Sequence, residues 1–190
     1  MATDVGKALV IDASIARAAG PEDATAPTSK QCRDLLVTVI ESIHRLTMTP
    51  EIQQEWNKHQ GRFAIGWRVA MDRKNKIQEI PSPEDADLRD KVTSLIGQKI
   101  GKTRVTQEIC DVMLKDCLLL EAALQSGKSI LSLDEKVRFH FSVATENIGE
   151  IREIVWVNPD KAEENALAWL EAGAEPEKHR QLGFQPDAAH

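Results

Sequence analysis

The stretch DCLLLEAALQSGKSILSLD, residues 116–134, does most to decide how this chain is expected to fold. Asp116 lies in the apolar sequence of a predicted helix, a turn is predicted at the Ser-Gly pair, and an apolar strand leads to Asp134. Another apolar run, residues 8–11, leads to Asp12. If both runs are parallel strands, the three acids can meet at one edge of a sheet. Crowded carboxylates repel each other and need a divalent cation to stay ionised together, which indicates metal-dependent chemistry.

Apolar runs and helix-like periodicity alternate along the rest of the chain. Strands are predicted at residues 8–11, 45–48, 129–133 and 153–157. Helices are predicted at 30–44, from 50 to roughly 68, 83–100, 106–126, 134–141 and 160–172, with an acidic, proline-containing loop within 79–90. This alternation predicts the α/β class, a three-layer α/β/α domain with a central, mainly parallel sheet. Residues 1–174 are assigned to that domain and residues 175–190 to a polar, flexible tail.

The composition restricts the class of protein further. The hydrophobic fraction of 42% is that of a globular domain, and the net charge of −6 gives no overall basic excess, although a local basic face remains open. The three cysteines include no CxxC pair, which argues against a disulfide framework or a zinc site. The start of the chain does not resemble a signal peptide, and no apolar run is long enough for a membrane span. We therefore expect a soluble, cytoplasmic protein.

Four motifs occur in a characteristic order. They are LVIDAS at residues 9–14, MTPEIQQEW at 48–56, KDCLLLEAAL at 115–124 and ILSLD at 130–134. In this order and at this spacing they resemble the PIN domain family, which includes VapC-type toxins of toxin–antitoxin systems and RNA-processing nucleases. The resemblance covers most of the chain from Ala8 to Val157.

The resemblance implies an activity and a set of partners. It implies a Mg²⁺- or Mn²⁺-dependent endoribonuclease, in which a metal-activated water hydrolyses an RNA phosphodiester bond and leaves a 5′-phosphate. RNA is then the substrate. An antitoxin protein and a second copy of the chain, forming a homodimer, are partners that the family suggests.

The resemblance also implies which residues form the site. Four carboxylates would act in catalysis and hold the metal: Asp12, Glu55, Asp116 and Asp134. Glu55 is favoured as the helix acid over Glu51, which lies one turn earlier on the same helix face. Ser14 and Ser132 would donate hydrogen bonds that orient the carboxylates.

Each aspartate also has a simpler interpretation. Asp12 could be a turn or capping residue at the end of a strand, and Asp134 could cap the helix that follows it. Asp116 could face solvent or pair with Lys115. A buried, unpaired carboxylate inside an apolar helix is costly, so Asp116 is the most informative of the three.

Residues 58–76 form a basic segment with six lysines and arginines against one acid. We predict that four of these cations contact RNA phosphates: Arg62, Arg68, Arg73 and Lys74. The alternative is that they only solvate one helix face. Trp56, Phe63 and Trp67 could stack on bases, but their spacing favours a stripe that packs in the core.

Two rival functions remain open. The first is a non-catalytic PIN-like module that binds RNA or a protein, which would lack stabilisation by Mg²⁺ or Mn²⁺. The second is a phosphatase- or receiver-like protein phosphorylated at Asp12, which the sequence favours least because no matching downstream Lys and Ser or Thr are evident.

Overall fold

A parallel sheet lies at the centre of the molecule. Over the residues that the structure describes, its five strands are β1 (Ala8–Ile11), β2 (Arg45–Met48), β3 (Ile77–Glu79), β4 (Ser129–Leu131) and β5 (Val155–Val157). The computed structural model describes residues 6–83, 85–100 and 104–185, and only the backbone of residues 96–100 and 104–110. The strand order is β3-β2-β1-β4-β5, and every neighbouring pair is parallel.

Helices cover both faces of this sheet. They are α1 (Ala13–Ala18), α2 (Pro27–Glu41), α3 (Pro50–His59), α4 (Arg62–Arg73), α5 (Ala86–Ile100), α6 (Arg104–Leu124), α7 (Glu135–Ala144) and α8 (Ala166–Glu171). Right-handed crossovers put α2 and α4 on one face and α5, α6 and α7 on the other. In agreement, α2 packs against α4 and α8, whereas α6 packs against α5 and α7. The fold is therefore the predicted three-layer α/β/α arrangement. No helix within the described ranges is both long and apolar enough to cross a bilayer.

The order of the strands reverses between β1 and β4. From β1 the chain continues through β2 to β3 on one side, and β4 and β5 lie on the other side. The connections that leave the carboxyl ends of β1 and β4 therefore pass to opposite faces and leave a crevice, which is where open parallel sheets bind ligands. Asp12 directly follows β1 and Ser132 directly follows β4, so both residues lie at this crevice.

Four of the five strands lie where the sequence predicts them. β1 and β2 have the predicted bounds, while β4 ends two residues earlier and β5 begins two residues later than predicted. β3 is not predicted. It has only three residues, all partly or fully exposed to solvent, and it lies at the edge of the described sheet, so its sequence contains no buried apolar run.

The long helix predicted from residue 50 is two helices, α3 and α4. The break falls at Gly61, which precedes α4. Gln60 and Gly61 are both extended, and the Gly61 N–H donates to the Ala16 carbonyl at 2.9 Å instead of continuing the helix.

The segment 175–185 differs from the flexible tail predicted for residues 175–190. Arg180 and Leu182 are buried, and the Leu182 N–H donates to the Ile154 carbonyl at 2.9 Å. Gln181 forms an antiparallel bridge with Val155 at the outer edge of the sheet. The segment is ordered because the edge strand β5 offers backbone partners to a sequence that is otherwise polar. Residues 186–190 lie outside the described residues.

Candidate active site

The carboxylate of Asp12 is held at the crevice between β1 and β4. Its Oδ2 accepts hydrogen bonds from Ser14 Oγ at 2.5 Å and from Ser132 Oγ at 2.8 Å. Ser14 Oγ also accepts from the backbone N–H of Leu133 at 3.2 Å. Asp12 is the N-cap residue of α1, but its side chain makes no capping bond. The two serines predicted to orient carboxylates therefore both donate to Asp12 and fix its rotamer.

Asp134 has a structural role that the sequence left open. Its Oδ1 accepts from the Val137 N–H at 2.9 Å and caps α7, as the simpler interpretation predicts. Its own N–H donates to Ser132 Oγ at 3.1 Å, which connects it to the hydroxyl that holds Asp12. The cap fixes Asp134 near the crevice, with its side chain exposed.

Asp116 lies on α6 and is the most perturbed acid of the site. Burial and, after it, the charges of Asp12, Asp134 and Glu55 together raise the pKa of Asp116 to about 7, while the charge of Lys115 opposes the shift. Asp116 is half-buried, so it faces solvent only in part, and Lys115 forms its ion pair with Glu55 while its charge still lowers the pKa of Asp116. Asp12, Asp134 and Glu55 therefore lie close enough to Asp116 to act on its ionisation.

A small cavity of about 50 Å³ lies between α3, α6 and the end of β1. Its polar lining includes the carboxylates of Asp12, Glu55 and Asp116, together with Lys115. The remaining walls are mostly apolar side chains: Ala13, Ile52, Trp56, Leu118 and Leu119. Such walls lower the local dielectric constant and strengthen every charge interaction inside the cavity.

Glu55 differs from the aspartates because three basic groups surround it. Lys58 Nζ lies 3.1 Å from its Oε1, and His59 Nε2 and Lys115 Nζ lie 3.5 and 3.2 Å from its Oε2. Desolvation alone would raise the pKa of Glu55, but hydrogen bonds from Lys58 and Lys115 outweigh it and the pKa falls. Glu55 is therefore held as an anion.

Glu51, the alternative helix acid, faces a different environment. Its Oε1 accepts a hydrogen bond from the hydroxyl of Ser82, in the loop after β3. Desolvation alone would raise the pKa of Glu51, but bonds from Ser82, its own N–H and Thr49 lower it overall. Of the two glutamates, only Glu55 lines the cavity with Asp12 and Asp116.

Sequence reasoning missed the part that Trp56 plays. The indole N–H of Trp56 donates to the Ile11 carbonyl at 2.8 Å, which ties α3 to the residue before Asp12. Trp56 and Trp67 are buried and stack with their ring centroids 6.0 Å apart, while Phe63 packs against the core. The core interpretation of these aromatics is therefore confirmed.

Two of the four cations predicted to bind RNA, Arg73 and Lys74, lie away from the acids. Arg73 and Lys74 end α4 immediately before β3, so they lie at the amino edge of the sheet, opposite the crevice. Arg68 donates to Asn57 Oδ1 at 2.8 Å, and Arg62 is exposed at the start of α4. Of the basic side chains in this segment, Lys58 and His59 contact an acid of the cavity.

The acids supply the oxygen donors that a hard cation prefers, but their side chains are not arranged around a common point. Carboxylate oxygens are the donors that Mg²⁺ and Mn²⁺ prefer, and a bound cation would relieve the repulsion that Asp116 experiences. Within the described residues, however, no three His, Cys, Asp or Glu side chains are arranged so that they could hold a metal ion as they stand. Ligation would require these side chains to rotate toward one another.

Comparisons with known proteins give no relative: no family model, no curated protein and no solved structure matches this chain. The class that the fold defines is thus a three-layer α/β protein with an acidic crevice at its strand reversal. The likeness to the PIN domain family rests on the four sequence motifs alone.

Proposed function

We propose that this protein is a Mg²⁺- or Mn²⁺-dependent ribonuclease of the PIN type, which binds the cation among Asp12, Asp116 and Asp134 with Glu55 beside them. One observation carries the proposal. Asp12 is fixed by two serine hydroxyls at the strand reversal, and Asp116 approaches it from a different helix, in the crevice where such sheets bind ligands.

The chain's own residues contribute binding and orientation. Ser14 and Ser132 both donate to Oδ2 of Asp12. These two hydrogen bonds fix the orientation of the carboxylate and therefore also the direction of its other oxygen, Oδ1. A bound cation would supply an activated water and would stabilise charge on the phosphate. Because Asp116 is protonated below a pKa of about 7, protons and the cation compete for it, and activity should rise from acidic to mildly alkaline pH.

The proposal carries finer expectations about setting and partners. RNA is the substrate, and the protein acts in the cytoplasm. An antitoxin would be a partner if the chain is a toxin, and a homodimer is a further expectation taken from the family.

The direct test is cleavage of a mixed RNA population with EDTA, Mg²⁺ or Mn²⁺. We expect cleavage only with the cation, and we expect Asp116→Asn to reduce the rate by about 100-fold or more, since a carboxylate of the site is lost. Asp72→Asn is the matched control, because Asp72 is exposed on α4 and far from the crevice along the fold.

Two results would contradict the proposal. One is RNA cleavage that persists in EDTA, and the other is an Asp116→Asn variant as active as the Asp72→Asn control. A protein that binds RNA but never cleaves it, with or without the cation, would favour the non-catalytic binding module.

A further inference from the structure

Two lysines from different helices converge on the Glu55 carboxylate. Lys58, on α3, contacts Oε1, and Lys115, on α6, contacts Oε2. Their ammonium groups thus flank a single carboxylate at the rim of the acidic cavity, although the two residues are far apart in sequence. His59 joins them at 3.5 Å from Oε2.

Both lysines keep donors for a second acceptor. The Lys58 side chain is 52% exposed and that of Lys115 is 59% exposed, whereas Glu55 is only 20% exposed. An ammonium group has three N–H donors, and the contact with Glu55 uses one of them. Each lysine can therefore bind an anion from the solvent side without leaving Glu55.

The rim of the cavity carries a net negative charge, which these two lysines reduce. Asp12, Glu55, Asp116 and Asp134 carry four negative charges when ionised, and two lysines offset half of them. One divalent cation would balance the rest. An RNA phosphate would otherwise be repelled, so cations at the rim are required for an anionic substrate to approach.

We propose that Lys58 and Lys115 form a phosphate clamp, which binds a backbone phosphate of single-stranded RNA beside the acidic crevice. In this arrangement Glu55 serves as the anchor that positions the two ammonium groups, and not as a ligand of the cation. The inference rests on the proposed function for its substrate, and it replaces the role that the sequence predicts for Glu55.

The cations on α4 that the sequence predicts to contact RNA are the alternative to the phosphate clamp. Arg73 and Lys74 lie at the amino edge of the sheet, whereas Lys58 and Lys115 lie at the rim of the cavity with the acids. An RNA strand bound at the amino edge would lie at the opposite end of the β-strands from the carboxylates. The two pairs of cations therefore make opposite predictions for the same binding experiment.

The first experiment measures binding of a labelled single-stranded RNA of about 12 nucleotides by fluorescence anisotropy. It is carried out in the Asp116→Asn background to prevent turnover. We expect Lys58→Met with Lys115→Met to weaken binding by roughly 10-fold or more, and to reduce the slope of log Kd against log salt by about 0.7, the value for one lost phosphate contact on single-stranded RNA. Arg73→Met with Lys74→Met is the matched control and should leave both quantities unchanged.

The second experiment separates anchoring from metal ligation. If Glu55 anchors the phosphate clamp, Glu55→Gln should weaken RNA binding but keep the rise in melting temperature that Mn²⁺ gives the wild type. Loss of that rise would identify Glu55 as a ligand and overturn its anchoring role.

The two proposals can fail separately. RNA binding that is equally weak in the clamp and control variants, or unchanged in both, overturns the phosphate clamp even if the protein cleaves RNA. If the wild type neither cleaves RNA nor responds to Mn²⁺, the proposed nuclease fails, and the anisotropy measurement still decides whether the phosphate clamp binds RNA.

Discussion

We expect Asp116→Asn to stabilise the metal-free protein at about pH 8 by roughly 2–4 kcal/mol. The wild-type carboxyl group has a pKa of about 7 in the folded state, because it is desolvated and faces Asp12 and Asp134. Its ordinary pKa is 3.8, so the folded state must ionise it at a cost above neutral pH. Asparagine has nearly the same shape and carries no charge.

The sign of the pH dependence follows from the same pKa. Between about pH 4 and pH 7 the folded state binds more protons at Asp116 than the unfolded state does, so stability falls as the pH rises through this window. Urea denaturation in EDTA at about pH 5 and pH 8 measures this change in the free energy of unfolding. The advantage of Asp116→Asn should shrink by about half or more at the lower pH.

Asp72→Asn again serves as the control and should leave stability unchanged at both values, since Asp72 is exposed. An Asp116→Asn variant that is no more stable than the wild type at pH 8 would show that neither desolvation nor the neighbouring acids make the ionised Asp116 costly to the folded state. A gain of equal size at both pH values would assign the effect to packing and not to charge.

The second large effect concerns the ion pair that joins α5 to α6. Glu121 is buried, and it accepts from Arg89 Nε at 2.7 Å, from Arg89 Nη2 at 2.9 Å and from the Asp85 N–H at 3.1 Å. We expect Glu121→Ala to lower the free energy of unfolding by about 3 kcal/mol, the lower end for breaking a buried pair, because Arg89 is partly exposed.

Chemical denaturation measures this loss, and the exposed pair of Glu153 and Lys128 provides the comparison. Glu153→Ala removes a contact of 2.8 Å between exposed side chains, so no measurable change is expected. Glu121→Gln should fall between the two, since it keeps one acceptor for the guanidinium. If Glu121→Ala and Glu153→Ala lower the free energy of unfolding equally, the pair of Glu121 and Arg89 does not hold α5 on α6.

Sequence patterns predict the parts of this fold that local chemistry determines. β1, β4 and β5 can be predicted because each is a mostly apolar, buried run, and Asp12 and Ser132 can be located because each follows such a run. The start of α3 is also visible, since Thr49 caps it and Pro50 occupies its first position.

What the sequence conceals depends on tertiary neighbours. Because β3 is short and polar, no sequence pattern shows that α4 ends at the amino edge of the sheet, which is where Arg73 and Lys74 lie. The contacts of Lys58 and His59 with Glu55 have helix spacing and could have been found, but the approach of Lys115 from α6 could not.

If Asp12, Asp116 and Asp134 form one cation site, the melting temperature should depend on the Mn²⁺ concentration. We expect saturating Mn²⁺ to raise the melting temperature of the wild type and of Asp72→Asn by roughly 5 °C or more, and to leave that of Asp116→Asn nearly unchanged. A wild type that does not respond to Mn²⁺, or an Asp116→Asn variant that responds equally, would contradict the proposed cation site.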